Sequence, residues 1–179
     1  MSAVAELALA QAVIDPAIDD REYEIVNGRK EPKMAGARHG GVCAQVIIEL
    51  GVYLRQNKIG RIYTPDTTFV VGEVDRLPDV GFVSFARMPP EGEPVGKWTF
   101  APDLAVEIVS PSDLFENVKN KLRDYFAAGV REVWLIEPQF QAVTIYTSPT
   151  RDRILTEDDE LTSDLLPGFA CRVGSFFEV

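Results

Sequence analysis

The fold is decided by an apolar run at residues 104–109, LAVEIV, and by the segment that follows it. A nearly continuous apolar run of this length is typical of a strand that is covered on both faces of its sheet. We expect a helix after it as far as Ala128, ending at Gly129, because glycine is favoured just beyond a helix C-terminus. A second apolar run, VWLI at 133–136, predicts another buried strand. Strand, helix and strand in this order predict a right-handed βαβ unit.

The residues between this first strand and the helix carry the signals of a helix start. Pro111 cannot continue a strand ladder. Ser112 or Asp113 can cap the helix, and Glu116 stands three residues after Asp113, as in a capping box. We therefore expect the helix to begin in the segment SPSD at 110–113.

A second helix and several strands are predicted around this unit. The spacing of apolar residues predicts a long helix from about Gly40 to Gln56. Further β-rich segments lie at 61–63, 67–71, 80–85 and 143–146. The sequence therefore predicts an α/β fold with a central mixed sheet.

The two ends of the chain are less regular. The alternating residues 23–26 lead into Asn27-Gly28, which predicts a hairpin turn. We expect a short helix at about residues 4–14 and a solvated acidic turn at 157–160. These patterns predict a lead-in over residues 1–20 and a single domain over 21–179.

The composition excludes several classes of protein. The chain has 179 residues, of which 46% are hydrophobic and 26% charged, so it can form a core. Its apolar runs fall far short of the roughly 20 residues that span a bilayer. No basic region precedes Glu6, which argues against a signal peptide, and the two cysteines lack metal-ligand spacing. We therefore expect a cytoplasmic protein without a membrane partner.

The net charge of −10 bears on nucleic-acid binding. Proteins that coat DNA by neutralising phosphates are usually basic, so this charge argues against non-specific binding. It leaves open a local site in which carboxylates hold Mg²⁺ beside a phosphate.

Glu107 is the most unusual residue of the first buried strand. An ionised carboxylate among apolar neighbours is costly unless it is paired or binds a metal ion. Alternation places Glu107 on one face with Asp103, Ala105 and Val109. Asp79 stands just before the predicted strand 80–85, so the two acids converge if these strands are neighbours. Alternatively, Asp79 is a turn residue and Glu107 pairs with a lysine.

Lys121 and His39 are the other candidate site residues. Lys121 lies at the edge of the apolar arc of the predicted helix, from which its ammonium can reach the sheet. Lys119, on the other side of that helix, is expected to be solvated. His39 is the only histidine and lies at the start of the long helix, near the centre of its apolar arc. The alternatives are an ordinary surface lysine for Lys121 and a hydrogen-bonded core residue for His39.

These residues, in their order and spacing, resemble the Uma-type restriction endonuclease family, a branch of the PD-(D/E)XK nuclease superfamily. The resemblance covers roughly residues 20–179. It rests on 77–80 (LPDV), 102–112 (PDLAVEIVSPS), Lys121, Tyr125, 128–130 (AGV) and 132–138 (EVWLIEP), with Tyr23-Glu24, Asn27-Gly28 and His39 upstream and 166–169 (LPGF) downstream.

The resemblance implies a restriction-endonuclease-like core and a metal-dependent hydrolysis of phosphodiester bonds in DNA. It implies that Asp79 and Glu107 bind Mg²⁺, with Mn²⁺ as a substitute, and that His39 is an auxiliary residue of the catalytic site. The usual signature has lysine two residues after the acid, where this chain has Val109. In this family the lysine has moved to the following helix, where Lys121 matches.

Besides this nuclease activity, we consider the oligomeric state and an alternative function. A small sheet leaves strand edges to cover, so a homodimer is expected. The alternative function is a non-catalytic nuclease-fold module that acts in dimerisation or protein binding. That alternative predicts Asp79, Glu107 and Lys121 in a closed salt-bridge set with no room for metal or phosphate. Catalysis predicts a cavity beside Glu107 that is open to solvent and wide enough for a nucleic-acid strand.

Overall fold

A six-stranded mixed sheet lies at the centre of the computed structural model, which describes residues 23–26, 29–32, 36–110 and 115–178. In these residues the strands are β1 (Tyr23–Val26), β2 (Arg29–Pro32), β3 (Gly60–Tyr63), β4 (Phe69–Val71), β5 (Val74–Arg76), β6 (Val80–Ser84), β7 (Leu104–Ile108), β8 (Glu132–Glu137), β9 (Ala142–Ser148), β10 (Arg151–Thr156), β11 (Glu160–Ser163) and β12 (Leu166–Arg172). The helices are α1 (Ala37–Gln56) and α2 (Phe115–Ala127), followed late in the chain by a 3-10 turn, Val173–Phe176.

The central sheet has the order β10-β9-β8-β7-β6-β3. Strands β7 and β8 run parallel, and the other neighbouring pairs of this sheet are antiparallel. Helix α2 makes the crossover between β7 and β8, as the strand–helix–strand pattern predicts. The predicted α/β class with a mixed sheet is confirmed.

Helix α2 ends as its sequence predicts. Gly129 has a φ of 90°, in the left-handed region where glycine carries no Cβ penalty. Its N–H donates to the carbonyl of Phe126, and the N–H of Val130 donates to that of Tyr125, the pair of bonds of a Schellman motif. The predicted helix start at Ser112 or Asp113 lies outside the described residues.

The two faces of β7 pack against different helices. Leu104, Val106 and Ile108 share a core with the buried face of α1. Ala105 lies on the opposite face in a second core with Leu122 of α2. The predicted alternation along this strand is confirmed, and it directs Glu107 toward α2.

The outer parts of the chain depart from the sequence-based expectations. Strands β5, β10, β11 and β12 have no predicted counterpart, and Glu160 begins β11 instead of closing a turn. The β1–β2 pairing agrees with the predicted hairpin, whereas its Asn27-Gly28 turn and the helix at about 4–14 lie outside the described residues. In the part of the chain that the structure describes, no helix is long and apolar enough to cross a membrane.

Candidate active site

Glu107 is a buried carboxylate with two side-chain donors. It is 9% exposed near the C-terminal end of β7. Lys121 Nζ donates to its Oε2 at 3.0 Å, and the hydroxyl of Tyr125 donates to its Oε1 at 2.5 Å. The ammonium offsets the cost of burying the charge, and each carboxylate oxygen has a donor.

Helix α2 supplies both donors from one face. Lys121 and Tyr125 are four residues apart, which places their side chains one above the other on a helix. Tyr125 is fully buried and fixes this face against the sheet, while Lys121 keeps about a quarter of its side chain in solvent. The parallel crossover therefore brings Lys121 to Glu107 across 14 residues of chain.

Asp79 is held by a second set of donors. It is 2% exposed and stands just before β6. Its Oδ2 accepts the backbone N–H of Ile108 at 2.7 Å and lies 3.1 Å from His39 Nε2. An ionised carboxylate can only accept, so Nε2 of His39 is the donor in this pair. The carboxylate thus ties the start of α1 to the strand that carries Glu107.

The strand register places Asp79 beside Glu107. Val80 pairs with Val106 in the antiparallel β6–β7 ladder. Continuing this register by one residue sets Asp79 opposite Glu107, and the bond from Asp79 to the next amide of β7 agrees with that position. The expected neighbourhood of the two strands is confirmed by their pairing.

Two openings border these residues. The first, the Glu107 cavity, has a volume of about 40 Å³ and is lined by Glu107, Val109, Lys121 and Tyr125 among others. A volume of about 10–15 Å³ holds one water molecule, so this cavity admits about three. It is too small for a nucleic-acid strand, so the expectation of a strand-wide cavity beside Glu107 is wrong for this opening.

The second opening, the His39 hollow, is much larger, at about 440 Å³. It lies at the ends of β7 and β8, beside the start of α1. Its lining is Gly36, Arg38, His39, Val109, Ser110, Glu137, Pro138, Gln139 and Phe140. Val109 lines both openings, so they adjoin at this residue.

The residues present fit a magnesium ion with few protein ligands. Mg²⁺ is usually bound by one or two carboxylates, with waters and phosphate oxygens in the other positions. Asp79 and Glu107 supply two carboxylates from paired strands, and the Glu107 cavity has room for waters. Within the described residues no group of three or more His, Cys, Asp and Glu side chains could hold a metal ion.

All four predicted site residues fall into two hydrogen-bonded pairs, Glu107–Lys121 and Asp79–His39. The closed salt-bridge set that the non-catalytic alternative predicts is present in part. Lys121 bonds Glu107, but the partner of Asp79 is His39 and not Lys121. The structure adds Tyr125, whose hydroxyl completes the Glu107 set. Tyr125 could have been identified from the sequence, because its place on the apolar arc of α2 predicts burial and a buried tyrosine hydroxyl needs a hydrogen-bond partner.

The sequence predicts a solvated Lys119, and the structure differs from this prediction. Its ammonium lies 5.3 Å from the centre of the Phe115 ring and 5.2 Å from that of Tyr146. These are cation–π distances, so the lysine packs over two aromatic rings instead of extending into water.

Two other buried acids lie away from the candidate site. The carboxylate of Asp103 accepts the backbone N–H of Ser84 at 2.8 Å and lies 3.4 Å from Arg87. Glu132 accepts hydrogen bonds from the Trp134 indole and from Ser163. Burial raises the pKa of Glu132 above its ordinary value of 4.5, although both hydrogen bonds lower it.

Comparison with known proteins agrees with the observed fold. The chain is similar in structure to a protein from Anabaena variabilis whose crystal structure is described as that of "a putative nuclease belonging to DUF820". The two share 19% sequence identity with a TM-score of 0.77, over 87% of this chain and 89% of that one. At this identity the likeness shows the fold. No curated protein matches the chain.

A family model gives the clearest assignment. The Uma2 model, described as "Putative restriction endonuclease", matches residues 11–174, a span that includes Asp79, Glu107, Lys121 and His39. By this match, which covers most of its length, the chain belongs to the Uma2 family.

Proposed function

We propose that this chain is a metal-dependent nuclease that hydrolyses phosphodiester bonds in DNA. The observation that carries the proposal is the buried Glu107 carboxylate, hydrogen-bonded to Lys121 and facing a cavity with room for water. In the proposed reaction the acid would hold a metal ion, and the lysine would act on the attacking water or on the developing negative charge. Membership of the Uma2 family and the nuclease-type fold support the same reaction class.

Each residue has a defined role in this proposal. Asp79 and Glu107 would hold Mg²⁺, or Mn²⁺ in its place. When bound, the ion would lower the pKa of a coordinated water and polarise the scissile phosphate. Lys121 orients the attacking water or stabilises the negative charge that develops on the phosphate. Tyr125 and His39 position the two carboxylates through the hydrogen bonds described above.

Metal binding is the first test. Mg²⁺ and Mn²⁺ are titrated by calorimetry into the wild type, Glu107→Gln and Asp79→Asn. We expect each substitution to weaken binding at least about 100-fold, because even indirect partners of a metal ion contribute 10- to 100-fold. Glu49→Gln, in the second half of α1 and outside the lining of both openings, is the control with unchanged affinity.

Cleavage of plasmid DNA is the second test. Lys121→Met should lower the rate by about 100- to 1000-fold, the usual loss for one charge-stabilising donor, while metal affinity stays within a few-fold of the wild type. A wild type that neither binds metal nor cleaves nucleic acid would contradict the proposal.

The second candidate function is the non-catalytic module for dimerisation or protein binding. It is favoured by the observation that both carboxylates already have protein donors. In that case Glu107→Ala changes only the thermal stability, and the metal titrations show no heat of binding. A homodimer and a cytoplasmic location stay predictions, and light scattering tests the former.

A further inference from the structure

The His39 hollow is the larger of the two openings described above, and the proposed nuclease function does not use it. Its volume of about 440 Å³ falls within the range of roughly 300–1,000 Å³ that is usual for small-molecule pockets. It therefore fits one compact chemical group and excludes a double helix.

The hollow is directly connected to the proposed catalytic residues. His39, which donates to Asp79, lines the hollow, and Val109 lines both the hollow and the Glu107 cavity. A group bound in the hollow therefore lies close to a phosphate bound beside Asp79 and Glu107.

Phe140 gives the hollow an exposed aromatic surface. Its side chain is 69% exposed in the turn between β8 and β9. The turn is well defined, because the N–H of Phe140 donates to the carbonyl of Glu137 at 3.1 Å and Gln141 takes a positive φ of 48°. An exposed aromatic ring gains nothing from the hydrophobic effect while it faces water. It gains when a planar group stacks on it and covers its surface.

Arg38 adds a cation and hydrogen-bonding capacity. Its Nη2 donates to the carbonyl of Pro138 at 2.7 Å, which connects the start of α1 to the Phe140 turn across the hollow. The remaining guanidinium N–H groups can bind a phosphate. Glu137 and Gln139 offer an acceptor and an amide for the edge of a base, and the negative charge of Glu137 directs the phosphate toward Arg38.

We propose that the His39 hollow binds one unpaired nucleotide next to the scissile phosphate, with its base stacked on Phe140 and its phosphate near Arg38. This inference rests on the proposed nuclease function and names the substrate class: single-stranded nucleic acid, or a duplex with an unpaired nucleotide. The net charge of −10 agrees with it, because stacking of one base depends less on positive charge than tracking along a duplex does.

The test measures base-dependent binding by fluorescence anisotropy at one salt concentration, with Ca²⁺ as the divalent ion. The probes are a labelled oligothymidylate, an abasic oligonucleotide with the same number of phosphates, and a fully paired duplex. We expect the wild type to prefer the oligothymidylate to both. Phe140→Ala should weaken oligothymidylate binding at least about fivefold, the lower end for loss of one base–aromatic stack, and leave abasic binding unchanged.

Matched variants separate stacking from general effects. Phe140→Trp retains an aromatic ring and should retain the preference. Phe85→Ala removes a partly exposed ring that follows β6 at the end of the strand opposite Asp79 and should bind like the wild type. Because Phe140 is mostly exposed, we expect Phe140→Ala to fold, and thermal melting checks this.

The outcomes distinguish this inference from the proposed nuclease function. Equal binding of thymidylate and abasic strands, or an unaffected Phe140→Ala variant, overturns the inference even when the wild type cleaves DNA in a Glu107-dependent manner. Phe140-dependent binding of bases without any metal binding or cleavage supports the nucleotide site and overturns the nuclease function. A wild type that binds none of the three probes overturns the inference.

Discussion

At the scale of single residues, Tyr125 is the most deeply buried of the side chains that donate hydrogen bonds in the candidate site. It donates to Glu107 from a side chain that is fully buried. We expect Tyr125→Phe to lower the free energy of unfolding by about 1–3 kcal/mol, because it leaves a buried carboxylate oxygen without this donor. Urea unfolding measures the change.

The matched control for that prediction is Tyr53→Phe. The Tyr53 hydroxyl donates to the carbonyl of Pro167 at 2.8 Å in an exposed position, where water can replace it. Its loss should change the free energy of unfolding by no more than about 0.5 kcal/mol. Equal effects of the two substitutions would contradict a special role for the bond to Glu107.

Glu132 gives the stability of the protein a dependence on pH. Because burial raises its pKa above 4.5 in the folded state, the folded chain holds this proton to higher pH than the unfolded chain does. Between the two pKa values the folded state binds more protons, so the free energy of unfolding falls as pH rises. The stabilising contribution is complete below the unfolded pKa and lost above the folded one.

The neutral variant Glu132→Gln lacks this titration. We expect its stability relative to the wild type to increase as pH rises from below 4.5, by at most about 1.4 kcal/mol per pH unit, and then to level off. Urea unfolding at a series of pH values measures the difference. A difference that is independent of pH, or that decreases as pH rises, would show that Glu132 does not titrate in this way.

At the scale of elements, the end of α2 controls how the crossover returns to β8. Gly129 holds a φ of 90°, which an alanine adopts only at a cost of about 1–2 kcal/mol. Gly129→Ala should lower the free energy of unfolding by that amount. Gly51→Ala, the same chemical change inside α1 with no neighbour in reach of a new Cβ, should raise it by about 0.5–1 kcal/mol.

The opposite signs make this pair informative. Thermal melting or urea unfolding of the two variants compares them directly. Stabilisation by Gly129→Ala would mean that α2 does not end in the Schellman motif.

The surroundings of β7 are compatible with the expectation that Lys121 takes the place of a lysine two residues after Glu107. Val109, two residues after Glu107, lines the same cavity as Lys121. Two positions, one on the strand and one on the crossover helix, therefore face one carboxylate. A lysine at either position can reach it, because the parallel β7–β8 connection packs α2 over this end of the strand.

At the scale of the whole molecule, the net charge of −10 limits how nucleic acid can bind. Among the described residues, Arg38 and Lys121 are the arginine and lysine side chains that line the two openings. With about two phosphate contacts to a single strand, log K should fall with log salt concentration with a slope of about −1.4. Anisotropy titrations over a range of NaCl concentrations, at constant divalent ion, measure it.

A steep slope would change the interpretation of this surface. A value of about −5 would require many more phosphate contacts than these openings provide. The protein would then bind along an extended surface, such as that of Arg55 in the last turn of α1, Lys58 after it and Arg61 in β3.

Much of the central unit could be predicted from the sequence, because its signals are local. The apolar runs of β7 and β8 and Gly129 after α2 identify strand, helix and strand without reference to the rest of the chain. The alternation along β7 also places Glu107 on the face opposite Leu104, Val106 and Ile108. Strand β10 lacks such a signal, because it is an edge strand that is mostly exposed and begins with three charged residues.

The α/β class, the order of the central elements along the chain and the unusual position of Glu107 can therefore be predicted from the sequence. Which distant groups meet follows from the fold: Lys121 and Tyr125 at Glu107, His39 at Asp79, and Phe140 beside Arg38 around one hollow. These two kinds of feature differ in the range of the interactions that produce them. Strand and helix patterns arise from neighbours along the chain, whereas these contacts join residues brought together by strand pairing and by the crossover of α2.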